Sequence, residues 1–183
     1  VDADDWIDKN ASKVMIDIIE KNQADVVFVP YIREFENRSL KKKIYDKEEI
    51  IFSAEKVKDK LHRRFIGLVG SELKEPENAD ALCTVWGKLY KRSIIEENNI
   101  RFQDIREIGT YEDGLFNLHY FRYVHKAVYI NQYFYHYRKY NNQSITTTYN
   151  TKLYKQWNRL FDIMEEYIHN NKLPELYQKA LNN

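Results

Sequence analysis

Asp2, Asp4 and Asp5 place three carboxylates within four positions, just before Trp6 and Ile7. Oxygen ligands suit hard divalent cations. Mg²⁺ or Mn²⁺ is usually held by one or two carboxylates together with the phosphates of a substrate. Side chains two apart on an extended segment leave on the same side. The spacing therefore predicts that Asp2 and Asp4 converge while Asp5 turns away or begins a helix. The alternative is that the cluster only caps a helix starting near Trp6.

The elements that must position these groups follow from hydrophobic periodicity. Ile7, Ala11, Val14 and Ile18 recur at helical spacing and predict an amphipathic helix ending near Asn22. Residues 24–30, β-branched and apolar, read as a buried strand closed by Pro30. From Arg33 to Lys47 the chain is polar and reads as a loop or weak hairpin; the Lys41-Lys42-Lys43 run inside it could touch phosphates or membrane headgroups, but a solvated charge run is the simpler account. Ser53 can cap a helix carrying Ala54, Val57, Leu61 and Phe65, after which residues 72–80 read as an acidic loop. Short helices are expected from Ser93 and from Glu112-Asp113. One aromatic strand is expected over 128–138, a polar turn over 141–144, and a long helix with Leu153, Trp157, Leu160, Met164 and Ile168 on one face.

Composition narrows the class. With 43% hydrophobic and 31% charged residues, the 183-residue chain has the make-up of a soluble globular domain. A net charge of +1 gives no general electrostatic case for nucleic acid or an anionic membrane, and no nucleic acid is expected as a partner. The single cysteine, Cys83, rules out an internal disulfide framework and fits a reducing compartment; it reads as a small buried hydrophobe. Fifteen Tyr and three Trp suit surfaces that grip rings, though such residues also fill cores.

Four stretches, VDADDWID, WGKLYKRSIIEENNIRF, YEDGLFNLHYF and YFYHYRKYNNQSIT, stand in this order between Val1 and about Thr148. Together they resemble the family 2 glycosyltransferases, inverting enzymes of the GT-A fold, particularly bacterial enzymes that build surface polysaccharides. The resemblance implies an α/β fold, the C-terminal half of a nucleotide-diphospho-sugar transferase: a mixed sheet flanked by helices, then C-terminal helices. It places a metal and acceptor half at 1–148 and a helical extension at 149–183. It also implies transfer of a sugar from a nucleotide-sugar donor, commonly a UDP-sugar, to a hydroxyl of a saccharide or lipid-linked saccharide.

The same resemblance assigns roles residue by residue. Asp2, Asp4 and Asp5 would bind the Mg²⁺ or Mn²⁺ cofactor, with Asp2 and Asp4 also on the donor. Asp113 would be the general base, with Glu112 as the second choice, although acidic groups there also complement a helix dipole. Arg138 and Ser144 would face the donor. Trp86, Lys88, Tyr90 and His136 would face the acceptor, and the first three could equally form a core patch. Residues His62, His119, His125 and His169 read as surface or packing groups.

About a hundred further residues are expected before such an acidic motif, within ordinary domain sizes. They would supply the pocket for the nucleotide base and ribose, so the 183 residues alone are expected to be inactive. The expected setting is cytoplasmic, at the inner face of the membrane, with peripheral membrane attachment and self-association compatible with it. A non-catalytic saccharide- or partner-binding module is the competing reading. A haloacid-dehalogenase-like phosphatase fits poorly, because Asp5-Trp6 stands where that class expects Thr or Val.

Overall fold

Val26, Val27 and Phe28 expose no surface and form the strand around which half of the fold is built. The computed structural model describes residues 1–76, 82–139 and 151–183. The chain forms two units: Val1–Val57 with Val85–Ser93 and Val124–Thr148, and Lys58–Thr84 with Ile94–Tyr123 and Tyr149–Asn183. Residues 149–183 thus share a unit with two earlier segments, Lys58–Thr84 and Ile94–Tyr123.

Among its described residues the first unit holds two mixed four-stranded sheets. The strands are β1 (Trp6–Ile7), β2 (Val26–Phe28), β3 (Tyr31–Phe35), β4 (Arg38–Lys42), β5 (Glu49–Phe52), β6 (Lys88–Tyr90), β7 (Ala127–Ile130) and β8 (Tyr135–Arg138). One sheet runs β5-β7-β2-β6 and the other β1-β8-β3-β4. In the first, β2 pairs parallel to β7 and antiparallel to β6. Helix α1 (Ala11–Asn22) covers one face of that sheet, its Ala11 and Met15 packing with Val27, Val29, Val128 and Ile130. The alternate residues Phe28 and Tyr129 face Tyr45 and Phe52, with ring centroids 5.2 to 6.4 Å apart. Both faces are covered, which explains why β2 is a continuous apolar run.

Three expectations change. Trp6-Ile7 is a strand rather than a helix start, and α1 begins only at Ala11, so the acidic cluster caps no helix. Residues 128–138 are not one strand: β7 and β8 lie in different sheets, parted at Asn131, whose N–H bonds to the Glu48 carbonyl. The helix expected after Ser53 is shortened to Ala54–Val57, followed by a π turn at Lys58–His62 and a 3-10 turn at Arg63–Phe65. The Arg33–Lys47 stretch does form a hairpin, β3–β4, and the turn expected at 141–144 lies outside the described residues.

The second unit is helical, with helices at Glu112–Phe121, Leu153–Asn170 and Glu175–Leu181. Leu160, Met164 and Ile168 are buried as their spacing predicts, whereas Leu153 and Trp157 are largely exposed. Gly67 is required where the chain passes Ala180, because a Cβ there would lie 2.1 Å from the Ala180 carbonyl oxygen. At the centre sits His62, 2% exposed, its Nδ1 2.7 Å from the Tyr177 hydroxyl and its Nε2 2.9 Å from the Tyr167 hydroxyl.

Burial pushes the His62 imidazole down to about 4, against 6.5 when exposed. The unfolded chain therefore binds the proton first as pH falls. Stability is expected to drop from about pH 6.5 and level off near pH 4, by about 3 kcal/mol for that shift. Thermal melts across this range measure the slope, and His62→Gln should flatten it; an unchanged slope in the variant would assign the acid sensitivity to other groups.

Candidate functional site

The acidic segment is held by the last strand of its own unit. The chain turns at Asp2–Asp5, with the Asp5 N–H bonded to the Asp2 carbonyl at 3.2 Å, so Asp2 and Asp4 sit on a turn rather than along an extended strand. The Tyr135 hydroxyl donates to Asp5 Oδ2 at 2.7 Å, and the Arg138 backbone N–H donates to Asp5 Oδ1 at 2.8 Å. The Asp2 N–H in turn donates to the Tyr135 hydroxyl at 3.3 Å. One buried phenol thus ties both ends of the motif. Burial raises the Asp5 carboxyl above its ordinary value, the Arg138 N–H and Tyr135 hydroxyl oppose that, and Asp4 and Asp2 add repulsion. Burial and the bond to Asp5 likewise push the Tyr135 phenol up, so it remains a donor.

Behind this turn the aromatic residues are layered. Trp86 stacks on Tyr135 at 4.4 Å and on Tyr137 at 5.3 Å, and Tyr31 meets Trp86 edge-on at 4.6 Å. The pairing Tyr31↔Tyr135 and Arg33↔Tyr137 puts all four side chains on one face of the β1-β8-β3-β4 sheet. A cleft of about 350 Å³ opens beside them. It is bordered by Asp2, Ser12, Trp86, Lys88, Tyr90 and Tyr135, and its apolar wall includes Ala11 and Met15 of α1 with Val29 and Phe134. Its volume is that of a small-molecule site. Trp86, Lys88 and Tyr90 therefore share one cleft with Asp2.

His136 does not join them. The two-residue period of β8 turns it to the opposite face from Tyr135 and Tyr137. There it stacks on Trp6 at 4.9 Å and lies between Glu34 (Nδ1, 2.7 Å) and Asp8 (Nε2, 3.3 Å). The Arg138 guanidinium lies on that side too, 5.9 Å from the Trp6 ring. Ser144 lies outside the described residues.

Glu112 and Asp113 belong to the second unit and open the Glu112–Phe121 helix, as the sequence predicts. The preceding Tyr111 adopts φ +73°, a left-handed conformation seldom held by a bulky residue. Its ring lies against Gly114, where a Cβ would come within 2.3 Å, and its hydroxyl donates to the Phe65 carbonyl at 2.9 Å. Asn117 Nδ2 reaches the carbonyls of Cys83, Thr84 and Asp113 at 2.8 to 3.2 Å. The Glu-Asp pair is thus presented by an over-determined turn, the kind of local strain that collects at functional sites.

Among the described residues no three His, Cys, Asp or Glu side chains gather into a metal cage. Both Asp5 oxygens accept hydrogen bonds, so Asp5 serves here as the anchor of the turn. Sequence reasoning missed Tyr135 as the anchor and Arg33 as a neighbour of Tyr137. The alternation Tyr135-x-Tyr137 was the available signal.

No protein-family model matches the chain. It is 26% identical over 181 residues, 99% of its length, to the "Putative glycosyltransferase EpsH" of Bacillus subtilis (strain 168). It is 29% identical over 142 residues, 75% of its length, to Glycosyltransferase GlyA of Streptococcus pneumoniae serotype 4 (strain ATCC BAA-334 / TIGR4). The chain spans 48% of the first relative and 18% of the second. Among solved structures it matches S. aureus TarS 1-349 in complex with UDP-GlcNAc, with a TM-score of 0.63 and 17% identity over 92% of this chain and 41% of that one. The complex of the same protein with UDP matches over 76% of this chain and 34% of that one, with a TM-score of 0.51 and 18% identity. These structural matches establish a shared mixed α/β fold, and the sequence relatives support a glycosyltransferase.

Proposed function

We propose that the chain is the metal-binding and acceptor half of an inverting, family 2-type glycosyltransferase of GT-A architecture, acting in bacterial surface-polysaccharide synthesis. The observation that carries this reading is the double anchoring of Asp5, which fixes the Asp2–Asp5 turn where Asp2 borders an aromatic cleft. The sugar comes from a UDP-sugar, a donor class in keeping with the UDP-GlcNAc and UDP complexes of the structural neighbour. Asp4 and Asp2 would hold Mg²⁺ or Mn²⁺, which would supply positive charge against the departing diphosphate. Trp86 and Tyr90 offer ring faces to a sugar, and Lys88 a cation. Asp113 takes the proton of the acceptor hydroxyl as it attacks the anomeric carbon from the side opposite the diphosphate. The bond from that carbon to the diphosphate oxygen breaks, and the configuration inverts. Asp5 and Tyr135 act by positioning the motif.

Calorimetric titration of UDP, with and without Mn²⁺, tests the assignment in a protein that also carries a nucleotide-binding half. Asp4→Ala should weaken metal-dependent UDP binding at least about tenfold, as loss of one anionic ligand implies. An affinity equal to that of the unaltered protein would remove Asp4 from the metal site.

A further inference from the structure

Arg33 of β3 is a cation whose own sheet offers it no anion. Leu40 of β4 and Tyr137 of β8 stand directly beside it. Two positions along, the same face carries Tyr31 and Phe35 on β3 itself, Arg38 and Lys42 on β4, and Tyr135 on β8. Glu34 turns to the opposite face, where the Ser39 hydroxyl and His136 hold it. Every side chain that β3, β4 and β8 send to the Arg33 face is therefore aromatic, apolar or basic.

Few bonds satisfy the guanidinium. Its Nη2 donates to the Tyr31 hydroxyl at 3.1 Å, and the group lies 5.7 Å from that ring. The buried Nε has no hydrogen-bond partner among the described residues. A guanidinium held by a neutral phenol, with a shielded donor unused, is set for an oxyanion. Lys139 continues the alternation of β8 and brings its ammonium to 4.9 Å from the Tyr137 ring. The Tyr137 hydroxyl lies within electrostatic reach of both Arg33 and the acidic turn. Burial pushes this phenol up, Asp5 adds to that, Arg33 opposes it, and Asp4 and Asp2 add further. Arg138, which the sequence points to for the donor phosphates, has its guanidinium beside Trp6 on the other face. We propose that Arg33 and Lys139 form a phosphate subsite beside the Asp2–Asp5 turn, for a phosphate group carried by a substrate. That group is the diphosphate of the donor or a phosphate on the saccharide acceptor. Its belonging to a substrate rests on the glycosyltransferase reading, whereas the subsite rests on the charge of this face.

Calorimetry on the 183-residue chain tests it with two probes. Inorganic diphosphate in Mg²⁺ stands for the leaving group of the donor, and glycerol 1-phosphate in EDTA for a phosphorylated acceptor. The parent is expected to bind at least one of them. Arg33→Met keeps the stem and removes the guanidinium, and should weaken that binding at least about tenfold, the scale of a charge-assisted hydrogen bond. Lys139→Met should weaken it roughly threefold, as suits an exposed charge. Arg33→Lys, which keeps a charge without the planar fork, should fall between parent and Arg33→Met. Circular dichroism identical to that of the parent shows that each variant keeps the fold. A loss for diphosphate alone identifies the donor as the source, and a loss that includes glycerol phosphate identifies the acceptor. No binding of either probe by the parent, or parental affinity in Arg33→Met, would overturn the proposal. Asp4→Ala separates it from the metal reading. Weaker diphosphate binding in Asp4→Ala but not in Arg33→Met would remove the subsite and keep the metal, and the reverse pattern would do the opposite.

Discussion

Replacing Asp113 by Asn is expected to lower kcat at least about a hundredfold in a protein that carries the nucleotide-binding half, with little change in UDP affinity. The substitution is chosen for its geometry. Asn117 holds this turn through the Asp113 backbone carbonyl, at 3.0 Å, and the Leu115 N–H bonds to the Tyr111 carbonyl, so neither anchor uses the side chain being changed. Asn keeps the shape and removes the proton acceptor. A fall in kcat with unchanged melting temperature would therefore report lost base catalysis. Turnover within a few-fold of the parent would assign the proton to Glu112 or to another group.

The second large effect concerns stability. Arg63 is 1% exposed in its side chain and forms a two-point pair with Glu72: Nη1 to Oε2 and Nη2 to Oε1, both at 2.7 Å. Nη1 also donates to the Gly67 carbonyl at 2.7 Å, and Glu72 accepts the Val69 N–H at 3.0 Å. Burial alone would raise the Glu72 carboxyl, but the guanidinium and the Val69 N–H outweigh it and hold it below its ordinary value. Glu72→Ala leaves a buried guanidinium without its counter-charge and is expected to cost about 3–5 kcal/mol. Arg63→Met together with Glu72→Leu should cost much less than the single change, because no orphaned charge remains. Denaturant unfolding measures both. A loss below about 1 kcal/mol for Glu72→Ala would mean that water reaches the guanidinium.

The pair also shows why part of the fold was not legible. Arg63 and Glu72 read individually as polar surface residues. Only the packing of the chain around Gly67 puts the guanidinium inside. The His62 network is similar, since its two tyrosine partners lie 105 and 115 residues away.

What the sequence determined by itself was local. Apolar spacing located α1 to Asn22, the buried strand before Pro30, the helix opened by Glu112-Asp113 and the long helix through Ile168, because each pattern reports which face of one element is shielded from water. Motif order likewise pointed to a sugar-transferring chain, and the relatives support it. Tertiary structure alone decided the rest. It divided 128–138 between two sheets and made Asp5 an anchor whose partner hydroxyl is 130 residues distant. Strand propensity is the same whichever sheet a segment joins, and a carboxylate's role depends on which donor reaches it. Both are settled by pairing between segments far apart in the chain, where periodicity carries no information.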